Sequence, residues 1–258
     1  MKNIYNKIYI KKDLLILIFL AFISGLFKEV LTFFLIIVIH EMGHISSSFI
    51  YKWNIKRVSF GIEGGFITYE ENIDKSFKEE LLISISGFLF QILFYLIIYM
   101  FYSKNLVNSS FMFLVRKYSY SILIFNLLPI VPLDGYRILN VILNMFMPYK
   151  YSLKISGVIS FLTIFIIIFL FMFLRFKLEV SYVMIFIFLI KKIINYFNDI
   201  PYLFNRFLIE RYINKSHAKK VILINGYHLE KLRRQKRHLF IIGKKSYTEK
   251  QMLSKKFD

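Results

Sequence analysis

VLTFFLIIVIHEMGHISSSFIY, residues 30–51, opens on a ten-residue run that is apolar apart from Thr32, turns polar at HEMGH (residues 40–44) and closes on ISSSFIY. A stretch of this length and composition can cross a bilayer as one helix. His40, Glu41 and His44 therefore fall inside a segment where every ionisable side chain is costly unless partnered or wet. On an α-helix the two histidines lie about 400° apart, so their imidazoles share a face and can reach one ion. Glu41 lies about 100° round from His40, near enough to address a water on that ion without ligating it. This is the HExxH spacing of zinc hydrolases, and from the His and Glu content of the chain a chance match has a probability of roughly 0.004. Helix pairing through polar side chains is the plainer alternative, and a proton or metal relay is the competing function.

The rest of the chain fits a membrane setting. Of 258 residues, 57% are hydrophobic and 19% aromatic, in long blocks rather than amphipathic stripes. There is no cysteine, which excludes disulfides and thiolate metal sites. Apolar runs suggest six spans: 14–27, 30–51, 81–101, roughly 111–128, 155–174 and 180–197, with Lys28 and Glu29 at the turn between the first two and Arg116 and Lys117 interrupting the fourth. The net charge of +19 distributes in a way that fixes orientation. Four Lys and Arg precede the first span, five lie between the second and third, three between the fourth and fifth, and seventeen follow from Lys191 onward. By the positive-inside rule both termini are cytoplasmic. No recognisable nucleic-acid-binding motif gathers these charges, so direct nucleic-acid binding is not expected and the lipid bilayer is the first partner.

Two stretches are not helical in pattern. Residues 54–71, NIKRVSFGIEGGFITYEE, carry the alternation and the Gly64–Gly65 pair of a β-hairpin, with an ordinary loop as the alternative. In the tail, VILIN (221–225), LEKLRRQKR (229–237) and HLFII (238–242) suggest strand, short helix, strand, or else a basic amphipathic segment on the bilayer. The expected fold is an all-α polytopic membrane protein of about six transmembrane helices, with a short membrane-associated β-hairpin and a small cytoplasmic α/β C-terminal module. Residues 1–200 form the transmembrane domain in this scheme, and 201–258 the cytoplasmic tail.

A catalytic zinc takes three protein ligands and keeps a fourth position for water. The remaining histidines, His217, His228 and His238, fall in the tail, where solvated surface positions are expected. The third ligand is then a carboxylate at membrane depth. NLLPIVPLDG, residues 126–135, supplies the candidate: Pro129 and Pro132 break the fourth span and Asp134 follows. Unwound backbone at that depth is tolerated only when buried in protein or lining a wet cavity. Taken alone, Asp134 is equally readable as an interfacial cap. With the N-terminus inside, the second and fourth spans both run inward, which puts HEMGH and Asp134 at compatible depth. The resulting scheme is one Zn2+ held by His40, His44 and Asp134, with Glu41 as the base that activates water. Asn126 is placed either to bond an extended substrate backbone or to pack helices, and the edge around Gly64 and Gly65 to pair with substrate by strand addition.

HEMGH together with Asn126, Pro129, Asp134 and Gly135 in the pattern NxxPxxxxDG resembles the site-2 protease family of intramembrane zinc metalloproteases. Within it the chain resembles the sporulation stage IV FB type, through KRV before a GG hairpin (residues 56–65), NLLPIVPLDG and FLIERY (residues 207–212). The resemblance implies a membrane-associated substrate, the pro-sequence of a late sporulation sigma factor (pro-sigma-K). It also implies inhibitory membrane partner proteins and a location in the mother-cell membrane around the forespore. Two departures stand out. Ser86-Gly87-Phe88 replaces the family's usual Gly-Pro in the third span, and the tail resembles a shortened version of the nucleotide-responsive CBS domain that ends close relatives. An inactive membrane scaffold is a further alternative, against which the intact Glu41 argues.

Overall fold

The computed structural model of the chain describes residues 8–61, 64–69, 75–175, 179–213 and 221–257. It is mostly helical, with two small sheets. The described residues of Met1–Glu71 with those of Leu81–Asn126 form one compact unit; those of Asn72–Glu80 with Leu127–Asp258 form a second.

The first unit begins with β1 (Ile8–Ile10) and α1 (Lys12–Ile23), which turns into α2 (Phe27–Ile50). The turn falls at residues 24–26, where Gly25 takes a positive φ of 74°, and not at Lys28 and Glu29, which lie in the first turn of α2. Glycine reaches that conformation without the Cβ penalty other residues carry, so it fixes the reversal. After α2 come β2 (Ile55–Gly61) and β3 (Gly64–Tyr69), antiparallel as the alternation predicts. Residues 62–63 and 70–71 of the expected hairpin lie outside the described residues. The sheet has a third strand that the pattern did not announce: β1 pairs parallel with β2, giving the order β1-β2-β3 and leaving β3 at an edge. Ile55, Val58 and Ile67 fill its buried face against Ile45 of α2. α3 (Phe77–Ser103) from Leu81 onward and α4 (Ser109–Leu127) as far as Asn126 complete the unit, and Ile36 and Ile37 of α2 pack with Ile122 of α4.

In the second unit residues 128–133 carry Pro129 and Pro132 and are not helical, and α5 (Asp134–Phe146) starts at Asp134 itself. α6 (Tyr149–Phe173) packs between α5 and α7 (Val180–Ile213). One face of α6 is a ladder of wholly buried serines at four-residue spacing. Ser152 donates to Asn144 Oδ1 at 2.8 Å, Ser156 lies 3.4 Å from the Tyr196 hydroxyl, and Ser160 donates to the Pro129 carbonyl at 2.9 Å. Small hydroxylated residues let helices approach closely and satisfy backbone freed by proline. The last of these bonds holds the broken segment that leads into Asp134.

α7 continues through residue 200, with Pro201 inside it, and carries Arg211 into the tail. There β4 (Val221–Asn225) lies parallel to β5 (Arg237–Ile242), which pairs antiparallel with β6 (Lys245–Thr248), followed by α8 (Glu249–Phe257). The expected strand, helix and strand are present, the helix being one 3-10 turn at Leu229–Lys231; β6 and α8 are additional. His238 is a correction. It is 2% exposed rather than solvated, because β5 is the central strand and α8 covers it. Its Nδ1 bonds Glu249 Oε1 at 2.7 Å and its Nε2 accepts the Arg233 N–H at 3.1 Å. His228 is exposed as expected, and His217 lies outside the described residues.

Among the described residues three helices, α2, α3 and α6, are long and apolar enough to cross a membrane. Their outward faces carry large exposed apolar side chains such as Leu93 and Phe165. Such faces are stable only against hydrocarbon or another apolar surface.

Candidate metal centre

The first unit assembles most of the predicted site on α2. His40 and His44 are each 2% exposed, with ring centroids 4.9 Å apart and edge to face. Each Nδ1 is engaged. His44 Nδ1 lies 2.7 Å from the Ile83 carbonyl, which can only accept, so this nitrogen carries the proton. His40 Nδ1 lies 3.1 Å from Gln91 Oε1, whose amide is oriented by Nε2 donating to the Ser119 carbonyl at 2.7 Å. With Nδ1 the protonated nitrogen of each neutral ring, both Nε2 atoms present lone pairs, 3.2 Å from one another. Two acceptors at that distance repel unless a proton or a cation lies between them. Tetrahedral ligands at about 2.0–2.1 Å from zinc are separated by about 3.3 Å. The pair therefore fits a bound metal in both tautomer and spacing.

Two glycines make this arrangement sterically possible. A Cβ on Gly87 of α3 would collide with His44 Nε2 and lie 2.7 Å from His40 Nε2, so α3 packs directly onto the imidazole pair. A Cβ on Gly43, the fourth residue of HEMGH, would strike the Ser86 backbone carbonyl. Close approach of two helix backbones requires small residues at the crossing. The Ser86-Gly87-Phe88 departure thus still provides the glycine, and the Phe88 ring stands edge to face with His40 at 5.4 Å.

Glu41 is 9% exposed and lies under β3. A Cβ on Gly65 would overlap its Cγ and lie 2.6 Å from its Cδ, so the absence of a side chain at 65 leaves the volume that the Glu41 carboxylate fills. Gly64, at φ 105° with open space around it, supplies the left-handed backbone entering the strand. Ser48 fastens the hairpin to α2, bonding the Tyr69 hydroxyl at 3.1 Å. Gly65→Ala is expected to displace Glu41 by about an ångström and lower cleavage roughly tenfold to a hundredfold. Metal content should be unchanged, since the imidazoles are held from α3; assay of both quantities in one preparation checks it, and coincident loss of the two would contradict it.

Asp134 and Pro129 belong to the second unit; Asn126, half-buried at the last turn of α4, belongs to the first. As the first residue of α5, Asp134 is 9% exposed and complements the positive end of the helix. Its Oδ1 faces Arg137 Nη1 at 3.7 Å. A Cβ on Gly135 would overlap the Leu127 carbonyl, which explains why Asp is followed by Gly here. His40 and His44 in the first unit and Asp134 in the second are each buried, and each offers an atom of a kind that ligates metal ions.

Gln91, the Ile83 carbonyl and the contact of Gly87 with both imidazoles escaped the sequence reading. A lone Gln within the apolar run LLISISGFLFQILFYL was the available signal, because polar groups inside a span are retained for a partner.

No protein-family model matches the chain. It is 30% identical over 217 residues to the Stage IV sporulation protein FB of Bacillus subtilis (strain 168), across 84% of this chain and 75% of that protein. Among solved structures it is similar to the site-2 protease from Methanocaldococcus jannaschii, with a TM-score of 0.55 and 25% identity, over 73% of this chain and 90% of that one.

Proposed function

The chain belongs to the site-2 protease family and is an intramembrane metalloprotease, and from that premise we propose that it hydrolyses a peptide bond in or beside the membrane-associated pro-sequence of a sporulation sigma factor, pro-sigma-K. The observation that carries the hydrolytic reading is the pair of Nδ1–H imidazoles with Nε2 atoms 3.2 Å apart, and Glu41 on the same helix. Likeness to a stage IV sporulation protein supports the substrate class.

In this reading zinc is the metal, held by His40, His44 and Asp134. Bound there, it supplies a water acidified toward neutrality and a Lewis acid for the scissile carbonyl. Glu41 takes the proton of the attacking water on its carboxylate and delivers it to the leaving amine. Arg137 Nη1 stands 3.7 Å from Asp134 Oδ1, a cation beside that carboxylate in the first turn of α5. Asn126 and Pro129 bind the extended substrate backbone, and the edge of β3 at Gly64 and Gly65 accepts it as an added strand. That edge position, with Gly65 lying over Glu41, supports strand addition next to the base.

The wider scheme is six spans with both termini cytoplasmic, a membrane domain over 1–200 and a tail over 201–258 that is a shortened CBS-like module, in the mother-cell membrane around the forespore. Inhibitory membrane proteins would restrain it; no nucleic acid is needed. Co-expression with a pro-sigma-K substrate tests the proposal. A shortened product is expected from the membrane-associated substrate and none when its pro-sequence is replaced by a soluble one. Equal cleavage of both forms would overturn it.

A further inference from the structure

We infer that Gln91 is a positioning residue that sets the tautomer of His40 and thereby the metal affinity of the chain; the inference rests on the protease reading above. Gln91 is 0% exposed, in the middle of α3, a helix otherwise apolar on every side at that level. A buried amide in such a place is costly unless both ends are satisfied. Here they are, and in a fixed sense. Nε2 donates to the Ser119 carbonyl of α4, which cannot donate back, so Oε1 is the end that meets His40. His40 Nδ1 must then carry the proton, and Nε2, the nitrogen turned toward His44, keeps its lone pair.

The two histidines achieve the same tautomer by different means. His44 relies on the Ile83 carbonyl, a backbone group on α3 that no substitution removes. His40 relies on one side chain eight residues further along the same helix. Of the two acceptors on α3 that meet these Nδ1 atoms, Gln91 is therefore the one that a substitution can remove. A ligating imidazole whose other nitrogen loses its acceptor can turn or take the opposite tautomer, and such outer partners are typically worth 10–100-fold in metal affinity.

Gln91→Met keeps length and packing but offers His40 no acceptor of comparable strength. Gln91→Glu keeps an acceptor on His40 Nδ1 and gives up the donor to Ser119. Zinc affinity of the detergent-solubilised full chain, measured by competition with a chromogenic chelator, and the visible spectrum of the cobalt-substituted protein are the readouts. Roughly 10–100-fold weaker zinc binding in Gln91→Met, with an altered cobalt spectrum, and affinity in Gln91→Glu equal to or tighter than wild type are expected. If Gln91 only joins α3 to α4, Glu will weaken binding at least as much as Met, and the inference is wrong. The Glu variant decides this alone should the Met variant fail to fold. Unchanged affinity in Gln91→Met also overturns it, while one zinc per chain in the wild type leaves the protease reading standing. Wild type that cleaves substrate with no bound metal would refute that reading instead.

Discussion

Glu41→Gln is expected to lower peptide-bond cleavage by roughly 10²- to 10⁴-fold with the metal still bound. The substitution changes almost nothing except chemistry. Glutamine has the size of glutamate and fills the volume under Gly65 that no Cβ occupies, so the hairpin keeps its seat on α2. The imidazoles keep their tautomers, since these are set from α3 by Gln91 and Ile83 and not by Glu41. What is lost is a carboxylate able to hold a proton between the attacking water and the leaving amine. The variant should accumulate uncut substrate when co-expressed with it and retain zinc at wild-type stoichiometry. Undiminished cleavage would sink the role given to Glu41. A transporter built on the same side chains would show no cleavage even in the wild type, so one gel separates the two functions.

How far the sequence could be read follows from how local each feature is. HEMGH was legible because its chemistry lies within one helix turn, and helical geometry alone brings both imidazoles to one face. The break before Asp134 was legible because proline acts on its own backbone. Features created by two elements meeting were not. A Cβ on Gly43 would strike the Ser86 carbonyl of α3, and one on Gly87 would crowd both Nε2 atoms, relations that neither stretch of sequence contains by itself. Gly65 was read as part of a substrate edge, and it is also the void that holds Glu41. β1 escaped notice because three residues at the start of the described chain carry no readable period, and their pairing with β2 is parallel and distant. FLIERY was only a family signature. In the second unit its Arg211 donates to the carbonyls of Arg233 and Lys236, both at 2.6 Å, and so ties α7 to the tail. Exposure of His238 was misjudged because a single strand does not reveal which of its faces a later helix will cover.

Asp134→Asn should abolish stable metal binding, and cleavage with it, to the level of a His40→Ala, His44→Ala double variant. Asparagine keeps the shape at the first position of α5, and Gly135 still clears the Leu127 carbonyl. The changed quantities are charge and donor strength. A neutral amide oxygen is a poor third ligand for a divalent ion, and Arg137 loses the anion opposite it at 3.7 Å. The loss in affinity should exceed the roughly 10–100-fold expected for an outer partner such as Gln91, because a donor to the ion itself is removed. Folding should suffer much less. A carboxylate at a helix N-terminus contributes about 0.3–1 kcal/mol, a small part of the stability of a multi-helix membrane domain. Metal analysis after dialysis, set beside far-ultraviolet circular dichroism, separates the two effects: intact helix content with no zinc is the expected pair of results. Equimolar zinc retained in Asp134→Asn, with the double histidine variant empty, would mean that the two imidazoles find their third ligand elsewhere in the chain. The contribution of NxxPxxxxDG would then be to bind substrate, and Asp134 would act as the helix cap that its position at the start of α5 equally allows.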